Sequence, residues 1–316
     1  MKLKKKKLLI LEGRDFSKEA LTLLKTKFNV FTNYKKNNLS DRILKDIEYL
    51  FVRLNYKIDK NFLEKTNKLK CIVSPTTGIN HIDIEEIRKK KIKLITIKNE
   101  KKFLKTINTT PELTWGLALT LVRKINTSYD DVLKGNWNRD KFKGLDLKDQ
   151  FCGIIGYGRI GKKISKYAKS FGMKILVNDP VNKSKNVNEN VTLKKIFKNS
   201  FIIFLTASFH KKNKNMIDEK LFKLSSFCFF INTSRGELIN YNDMIKYVNS
   251  KNLIGVGLDV IPDEQNIKKR INFIKKIKRI KNFKDKYLIT PHIGGATISS
   301  MNKTELYITK KLLDYV

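Results

Sequence analysis

Apolar residues recur along this chain in short unbroken runs, separated by stretches with helical spacing. The run Leu8 to Leu11 is followed by helical spacing from Ser17 to Thr26, and further runs at Tyr49 to Arg53, Cys71 to Ser74 and Leu94 to Ile97 alternate with helical stretches. Runs of this kind suit strands covered on both faces, as in parallel sheets with crossover helices. They predict a first parallel α/β unit. A second series follows, with an apolar run ending at Gly156, another ending at Asp179, and candidates at Phe201 to Leu205, Cys228 to Asn232, Ile254 to Leu258 and Leu288 to Thr290. The pattern shows no internal sequence repeat.

Two stretches depart from this alternation. Thr110-Pro111-Glu112 opens a helix reaching to about Lys124; Thr110 is placed to cap it, and Pro111 suits a first turn because its missing N–H has no helical partner there. Leu113, Trp115, Leu117, Ala118, Leu119, Leu121 and Val122 make it apolar on nearly every face. Such a helix must be buried on several sides, so a domain boundary or a subunit interface is expected. Between Glu264 and Tyr287 the chain is dense in Lys and Arg, with Ile267, Ile271, Ile274, Ile277 and Ile280 near helical spacing. The basic insertion 266–286 is either an amphipathic helix for a partner or membrane surface, or a solvated insertion; the solvated reading is preferred.

The most specific local signal is Phe-Cys-Gly-Ile-Ile-Gly-Tyr-Gly-Arg-Ile-Gly at 151–161. Gly156, Gly158 and Gly161 stand at the G-x-G-x-x-G spacing after a strand and before a helix-like stretch from Lys162 to Phe171, and the next apolar run ends at Asp179. Gly156 permits the sharp strand-to-helix turn. Gly158 leaves the backbone open to a pyrophosphate, and Gly161 lets the helix lie close on the sheet. The helix N-terminus offers N–H groups to the anion. Asp179 accepts from ribose hydroxyls and repels a 2′-phosphate, so NAD is the expected cofactor, not NADP.

Length, composition and charge narrow the class. A chain of 316 residues with 41% apolar content suits two globular domains. It has no apolar run of about 18 residues, so no membrane span or membrane partner is expected. The basic-then-apolar start breaks at Glu12-Gly13 and reads as a first strand, not a signal peptide. Cys71, Cys152 and Cys228 lie in apolar runs without metal-site spacing; buried thiols of a cytoplasmic protein are expected, and no metal. The net charge of +37 raises a nucleic-acid reading. Its basic residues are mostly Lys, with Asn and Ile also abundant, a mixture that compositional bias produces without a binding function. Nucleic acid is therefore not expected as a partner.

Only three histidines are available for proton transfer. His81 follows Gly-Ile-Asn, and His210 sits in a Lys-rich loop. His292, in Thr-Pro-His-Ile-Gly-Gly, stands just past a strand candidate, where open α/β sheets bind ligands, and is the strongest acid/base candidate. Further segments complete a set: Ile-Asn-Thr-Ser-Arg-Gly at 231–236, Gly-Leu-Asp-Val-Ile-Pro-Asp-Glu at 257–264, Ser-Pro-Thr-Thr-Gly-Ile-Asn-His-Ile-Asp at 74–83, Thr-Pro-Glu-Leu-Thr-Trp at 110–115 and Gly-Asn-Trp at 135–137. In this order they resemble the D-isomer-specific 2-hydroxyacid dehydrogenases, the family of phosphoglycerate dehydrogenase and hydroxypyruvate reductase, over nearly the whole chain.

That resemblance implies two Rossmann-like, doubly wound domains with parallel sheets and an active-site cleft between them. Residues 1–104 and 293–316 would form a discontinuous substrate-binding domain, and 105–292 the NAD-binding one. It implies an oxidoreductase passing a hydride between NAD(H) and a small D-2-hydroxy or 2-oxo acid, such as 3-phosphoglycerate, or hydroxypyruvate or glyoxylate. Arg235, Glu264 and His292 would be catalytic. Arg235 would polarise the carbonyl, His292 would carry the proton and Glu264 would hold His292. Cofactor contacts would come from Gly156, Gly158, Arg159, Ile160, Gly161, Asp179, Thr233, Asp259 and Gly294. Substrate contacts would come from Arg53, Thr77, Gly78 and Arg235. These roles suit the chemistry, since a cation and a proton donor at the carbonyl oxygen meet charge that develops only in the transition state.

The sequence departs from the family's pattern at Gln265 and Ser208, each where Pro is usual, and at Pro111-Glu112-Leu113 in place of Ala-Glu-His. An NAD-sensing binding protein of the corepressor type is the alternative reading. A homodimer is expected, with the helix at 110–124 and Trp137 near the contact.

Overall fold

The computed structural model describes residues 5–33, 40–181, 190–250 and 252–316. It divides into two compact units, Met1–Ile107 with Ala296–Val316, and Asn108–Gly295.

In the first unit, β1 (Lys6–Ile10), β2 (Phe28–Thr32), β3 (Tyr49–Phe51), β4 (Cys71–Ser74) and β5 (Lys93–Thr96) form one sheet in the order β2-β1-β3-β4-β5. All pairings are parallel. β4 is buried at every position, as a strand covered on both faces must be. Alternate residues feed two cores: Leu8 and Ile10 face Phe28, Phe51 and Val73, while Leu9 and Leu11 face Leu50, Ile72 and Ile87. The helix Ile298–Tyr315 adds Ile308 and Leu312 to the first of these. Ser17 caps the helix Lys18–Lys27, its Oγ accepting from Ala20 N–H at 3.3 Å. β2 was not anticipated from the hydrophobic pattern. It is an edge strand in which only Phe28 is fully buried, so Phe-Asn-Val-Phe-Thr lacks the continuous run that marks the other strands.

In the second unit, β6 (Phe151–Ile155), β7 (Lys174–Asn178), β8 (Ile202–Leu205), β9 (Cys228–Asn232), β10 (Leu253–Leu258) and β11 (Tyr287–Ile289) form a parallel sheet ordered β11-β10-β9-β8-β6-β7. In both sheets the chain steps from a central strand to one side and then returns to the other. The change of direction falls between β1 and β3 in one sheet and between β6 and β8 in the other. The carboxyl ends of strands diverge at such points, and ligands bind there.

Two expectations require correction here. The apolar helix spans Thr109–Val122 with Asn108 at its N-cap, so Thr110 is inside the first turn and does not cap it. The Thr110 carbonyl instead accepts the Thr114 hydroxyl at 2.6 Å. Most of this helix is covered within its own unit. Trp115, Leu117, Ala118, Leu121 and Val122 join Ile154, Phe204, Phe229 and Ile231 in one core, and Trp115 stacks on Phe204 with centroids 5.6 Å apart. A subunit interface is therefore not needed to explain its apolar girth. The basic insertion contains the helix Ile267–Lys278, whose Phe273 and Ile277 are buried and whose lysines face solvent. Phe273 meets Tyr241 edge to face at 5.1 Å. It is a solvated insertion with one face packed on its own unit.

Candidate active site

The glycine loop after β6 is built by close backbone approach. Gly156 has φ +94°, and a β-carbon there would lie 2.5 Å from the Ala207 backbone, in the segment following β8. A β-carbon on Gly161 would lie 2.2 Å from the Gly156 carbonyl oxygen, so the helix Arg159–Ser170 can approach the strand end only with glycine there. Around Gly158 there is open space, which leaves room for a ligand against the backbone at the helix N-terminus. The Asp179 carboxylate is buried at the end of β7; it accepts Tyr157 N–H at 2.6 Å and Val181 N–H at 2.8 Å. Arg159 opens the helix half-buried, and burial lowers its guanidinium pKa below the ordinary value. Thr233 lies buried beyond β9, its hydroxyl 2.7 Å from that of Thr114.

The ends of β9, β10 and β11 carry the remaining groups. Asn232, fully buried, shapes the turn after β9: its Oδ1 accepts Ser234 N–H at 2.9 Å and its Nδ2 donates to the Arg235 carbonyl at 3.0 Å. A β-carbon on Gly236 would fall 2.3 Å from the Ile261 carbonyl carbon. That contact sets the Arg235 turn against the segment leading to Glu264. Arg235 donates to the Ser234 carbonyl at 2.6 Å. Its burial lowers the guanidinium pKa, and the charges of Glu264 and Glu237 oppose the shift.

Asp259 ties the segment after β11 to β10. Its Oδ1 accepts from the Thr290 hydroxyl at 2.6 Å and Ile293 N–H at 2.8 Å, and its Oδ2 accepts Gly294 N–H at 2.7 Å. Burial raises the Asp259 carboxyl pKa, and these three donors oppose the rise. Within this wrap His292 takes a left-handed backbone, φ +55°, with its N–H directed at the Asp259 and Thr290 carbonyls at 2.9 and 3.0 Å. The imidazole Nδ1 lies 2.5 Å from Glu264 Oε1, with the two side chains 24% and 31% exposed. An ionised carboxylate only accepts hydrogen bonds, so opposite a carboxylate Nδ1 carries the proton and donates. His81, by contrast, is 1% exposed.

In the first unit, Glu12 follows β1 and Arg53 follows β3. Glu12 accepts Arg53 N–H and Asn55 N–H, both at 2.9 Å. The Arg53 guanidinium forms an ion pair with Glu305 of the helix Ile298–Tyr315, reaches the Arg14 and Asp15 carbonyls at 3.4 Å, and lies 5.8 Å from the centre of the Phe16 ring. Glu305 is 1% exposed, and its Oε2 also accepts Ser17 N–H at 2.7 Å. Burial raises the carboxyl pKa of both Glu12 and Glu305, and the Arg53 charge opposes each rise. Thr77 is exposed in the loop after β4, where the Gly78 carbonyl accepts the Thr76 hydroxyl at 2.8 Å. Glu305 escaped sequence reasoning. Its signal was its place in the buried stripe Thr304, Glu305, Ile308, Thr309, Leu312.

A parallel sheet carrying this fingerprint, with a half-exposed His–Glu pair at its strand ends, defines a nucleotide-dependent oxidoreductase. Comparison with known proteins agrees. Residues 115–294 match the family model described as D-isomer specific 2-hydroxyacid dehydrogenase, NAD binding domain, and residues 8–102 match the catalytic domain of the same family. The chain is similar to a hydroxypyruvate reductase of Thermotoga maritima (27% identity, covering 93% of this chain and 94% of that one) and to a glyoxylate reductase of Thermococcus litoralis (30%, covering 86% and 81%). Among solved structures it resembles Aquifex aeolicus D-lactate dehydrogenase complexed with NAD and lactic acid, with TM-score 0.78, 26% identity and coverage of 98% and 95%. The chain belongs to the D-isomer specific 2-hydroxyacid dehydrogenase family. It is an NAD-dependent oxidoreductase.

Proposed function

We propose that this protein reduces a small 2-oxo acid, of the glyoxylate or hydroxypyruvate kind, to its D-2-hydroxy acid. The observation that carries the reading is the 2.5 Å contact of His292 Nδ1 with Glu264, at strand ends shared with Arg235. Gly156, Gly158, Arg159, Ile160 and Gly161 would hold the pyrophosphate of NAD. Asp179 would take its ribose, and Thr233, Asp259 and Gly294 its nicotinamide end. The open space at Gly158 fits that group. The cofactor supplies the hydride to the carbonyl carbon.

The protein groups act on the substrate. Arg235 binds the carboxylate and draws charge toward the carbonyl oxygen, while His292 delivers a proton from Nε2 to that oxygen. Glu264 orients the ring through its contact with Nδ1. Thr77, Gly78 and Arg53 would be further substrate contacts. The names of the two relatives support the choice of acid, and 3-phosphoglycerate is the less supported member of the class.

A panel of 2-oxo acids with NADH, followed by loss of NADH absorbance, tests the reading. Absence of turnover with every acid would reject it. We also propose a homodimer. Its support is the exposed apolar set Ile125, Tyr129, Val132, Leu133 and Trp137, the last 90% exposed. A monomer in sedimentation at micromolar concentration and moderate salt would count against it.

A further inference from the structure

We infer that Arg270 is a positioning residue, which holds the backbone at Glu264 and so keeps the Glu264 carboxylate on His292. The basic insertion 266–286 thereby gains a part in the reaction. This rests on the reading of His292 as the proton carrier, and every residue concerned lies in the unit Asn108–Gly295. The Glu264 side chain is 31% exposed, so water competes for it. Its 2.5 Å contact with Nδ1 depends on a backbone that stays in place. Glu264 sits in a tight turn: Asn266 N–H donates to the Asp263 carbonyl at 2.8 Å, and Asp263 has a left-handed backbone, φ +51°.

The helix Ile267–Lys278 begins directly after this turn. Lys268, Lys269 and Arg270 fill its first turn, which contains no acid. Cations are disfavoured at that end of a helix by its dipole. Two of the three reach back to the turn instead. Lys269 Nζ meets Asp263 Oδ2 at 2.8 Å, and Arg270 Nη1 donates to the Glu264 carbonyl at 2.9 Å. The Lys269 pair is more than half exposed on both sides and contributes little. The Arg270 bond is the one that grips Glu264 itself. Its base is rigid, because Asn266 Oδ1 accepts Lys269 N–H at 3.1 Å and Phe273 and Ile277 are buried. Phe273 packs on Tyr241, whose hydroxyl donates to the carbonyl of Val260, just ahead of Glu264. The helix and the Glu264 segment are thus pinned to one tyrosine, and Arg270 closes the gap between them. Arg270 acts through Glu264.

The test compares the unaltered protein with Arg270→Ala, Arg270→Lys and Lys275→Ala, the last an exposed lysine of the same helix. The first readout needs no substrate. With isotope-labelled histidine nitrogens the chain gives only three imidazole signals, and His292→Ala identifies the one that matters. Above the titration range of histidine, the cofactor-free protein should hold His292 as the Nδ1–H tautomer, as a carboxylate on Nδ1 demands. Arg270→Ala should shift it toward the Nε2–H tautomer. Arg270→Lys keeps a donor and should restore it, and Lys275→Ala should match the unaltered protein. The second readout is kinetic. With NADH and the best 2-oxo acid, Arg270→Ala should lower kcat by about 10- to 100-fold and leave the KM for NADH unchanged.

An unchanged tautomer in folded Arg270→Ala would overturn the inference, whatever happens to kcat. An equal shift in Lys275→Ala would overturn it too, since loss of charge would then be the cause. Loss of the fold in both Arg270 variants would make the residue structural and likewise overturn it. Absence of turnover with every acid would reject the reductase reading, while the tautomer would still decide whether Arg270 holds the pair.

Discussion

The two units each set an arginine and carboxylates at the carboxyl ends of parallel strands, yet they use them in opposite ways. In the first unit Arg53 pairs with Glu305 inside the fold, Glu12 holds the Arg53 backbone N–H, and Glu305 is 1% exposed. In the second, His292 and Glu264 meet at 2.5 Å but keep 24% and 31% of their side-chain surface open, and Arg235 feels Glu264 as a charge. The same residue types thus make a closed circuit in one sheet and an open one in the other. Proton transfer to a substrate needs the open form, because an acid must reach the oxygen it serves. A closed circuit instead ties segments of its own unit together.

Substitutions can break this contrast, and the largest effect belongs to the open pair. His292→Ala should lower turnover by about 10² to 10⁴ while leaving NADH affinity and thermal stability nearly unchanged. Near-full activity on the best acid would remove His292 from the mechanism. Arg53→Ala should instead act on the fold, costing about 3–5 kcal/mol of stability, since it leaves two buried carboxylates without their cation. The pH dependence has a definite sign. Burial already raises Glu12 and Glu305 above their ordinary 4.5. Groups raised in this way favour the folded state fully below 4.5, and that contribution is lost as pH rises through their folded values. The Arg53→Ala deficit should therefore be greatest near neutrality and shrink on acidification toward 4.5, read as denaturation midpoints across pH. A pH-independent deficit would mean that the circuit carries no charge.

Smaller effects sharpen the picture of the nucleotide loop. Gly161→Ala drives a β-carbon to 2.2 Å from the Gly156 oxygen, and should cost about 1–3 kcal/mol and weaken NADH binding. Asp179→Ala should narrow the preference for NADH over NADPH by about tenfold, the loss of one repulsion of roughly 1.4 kcal/mol. Equal use of both cofactors by the unaltered protein would contradict the role given to Asp179.

Much of this was legible in sequence because it rests on local rules. Cys71–Ser74 and Cys228–Asn232 are strands at the residues where the apolar runs placed them, since parallel strands covered on both faces need unbroken apolar runs. The fingerprint glycines are local too, each answering a contact within one strand–turn–helix unit. β2 was hidden because an edge strand needs only one buried side chain. The burial of the helix Thr109–Val122 was foreseen, but not its cover, because periodicity reports that a face is covered and not by what. The Glu305–Arg53 pair was invisible for a related reason: neither residue carries a mark of the other in sequence. Only the polar interruption in an otherwise buried helical stripe hinted at it.

The tie between Glu305 and the start of the chain also has a consequence for synthesis. Ser17 and Glu305 are 288 positions apart. Translation adds about 5–20 residues per second, so β1 to β5 emerge on the order of ten seconds before the helix that completes their unit. Through that interval Arg53 lacks its ion-pair partner Glu305, and the apolar surface of Leu8, Phe28 and Phe51 lacks Ile308 and Leu312. A nascent chain halted in this window should be open to proteases and dependent on chaperones, despite having every strand of its first sheet. Residues 108–295 have their own chain complete on the ribosome before residues 1–107 have theirs.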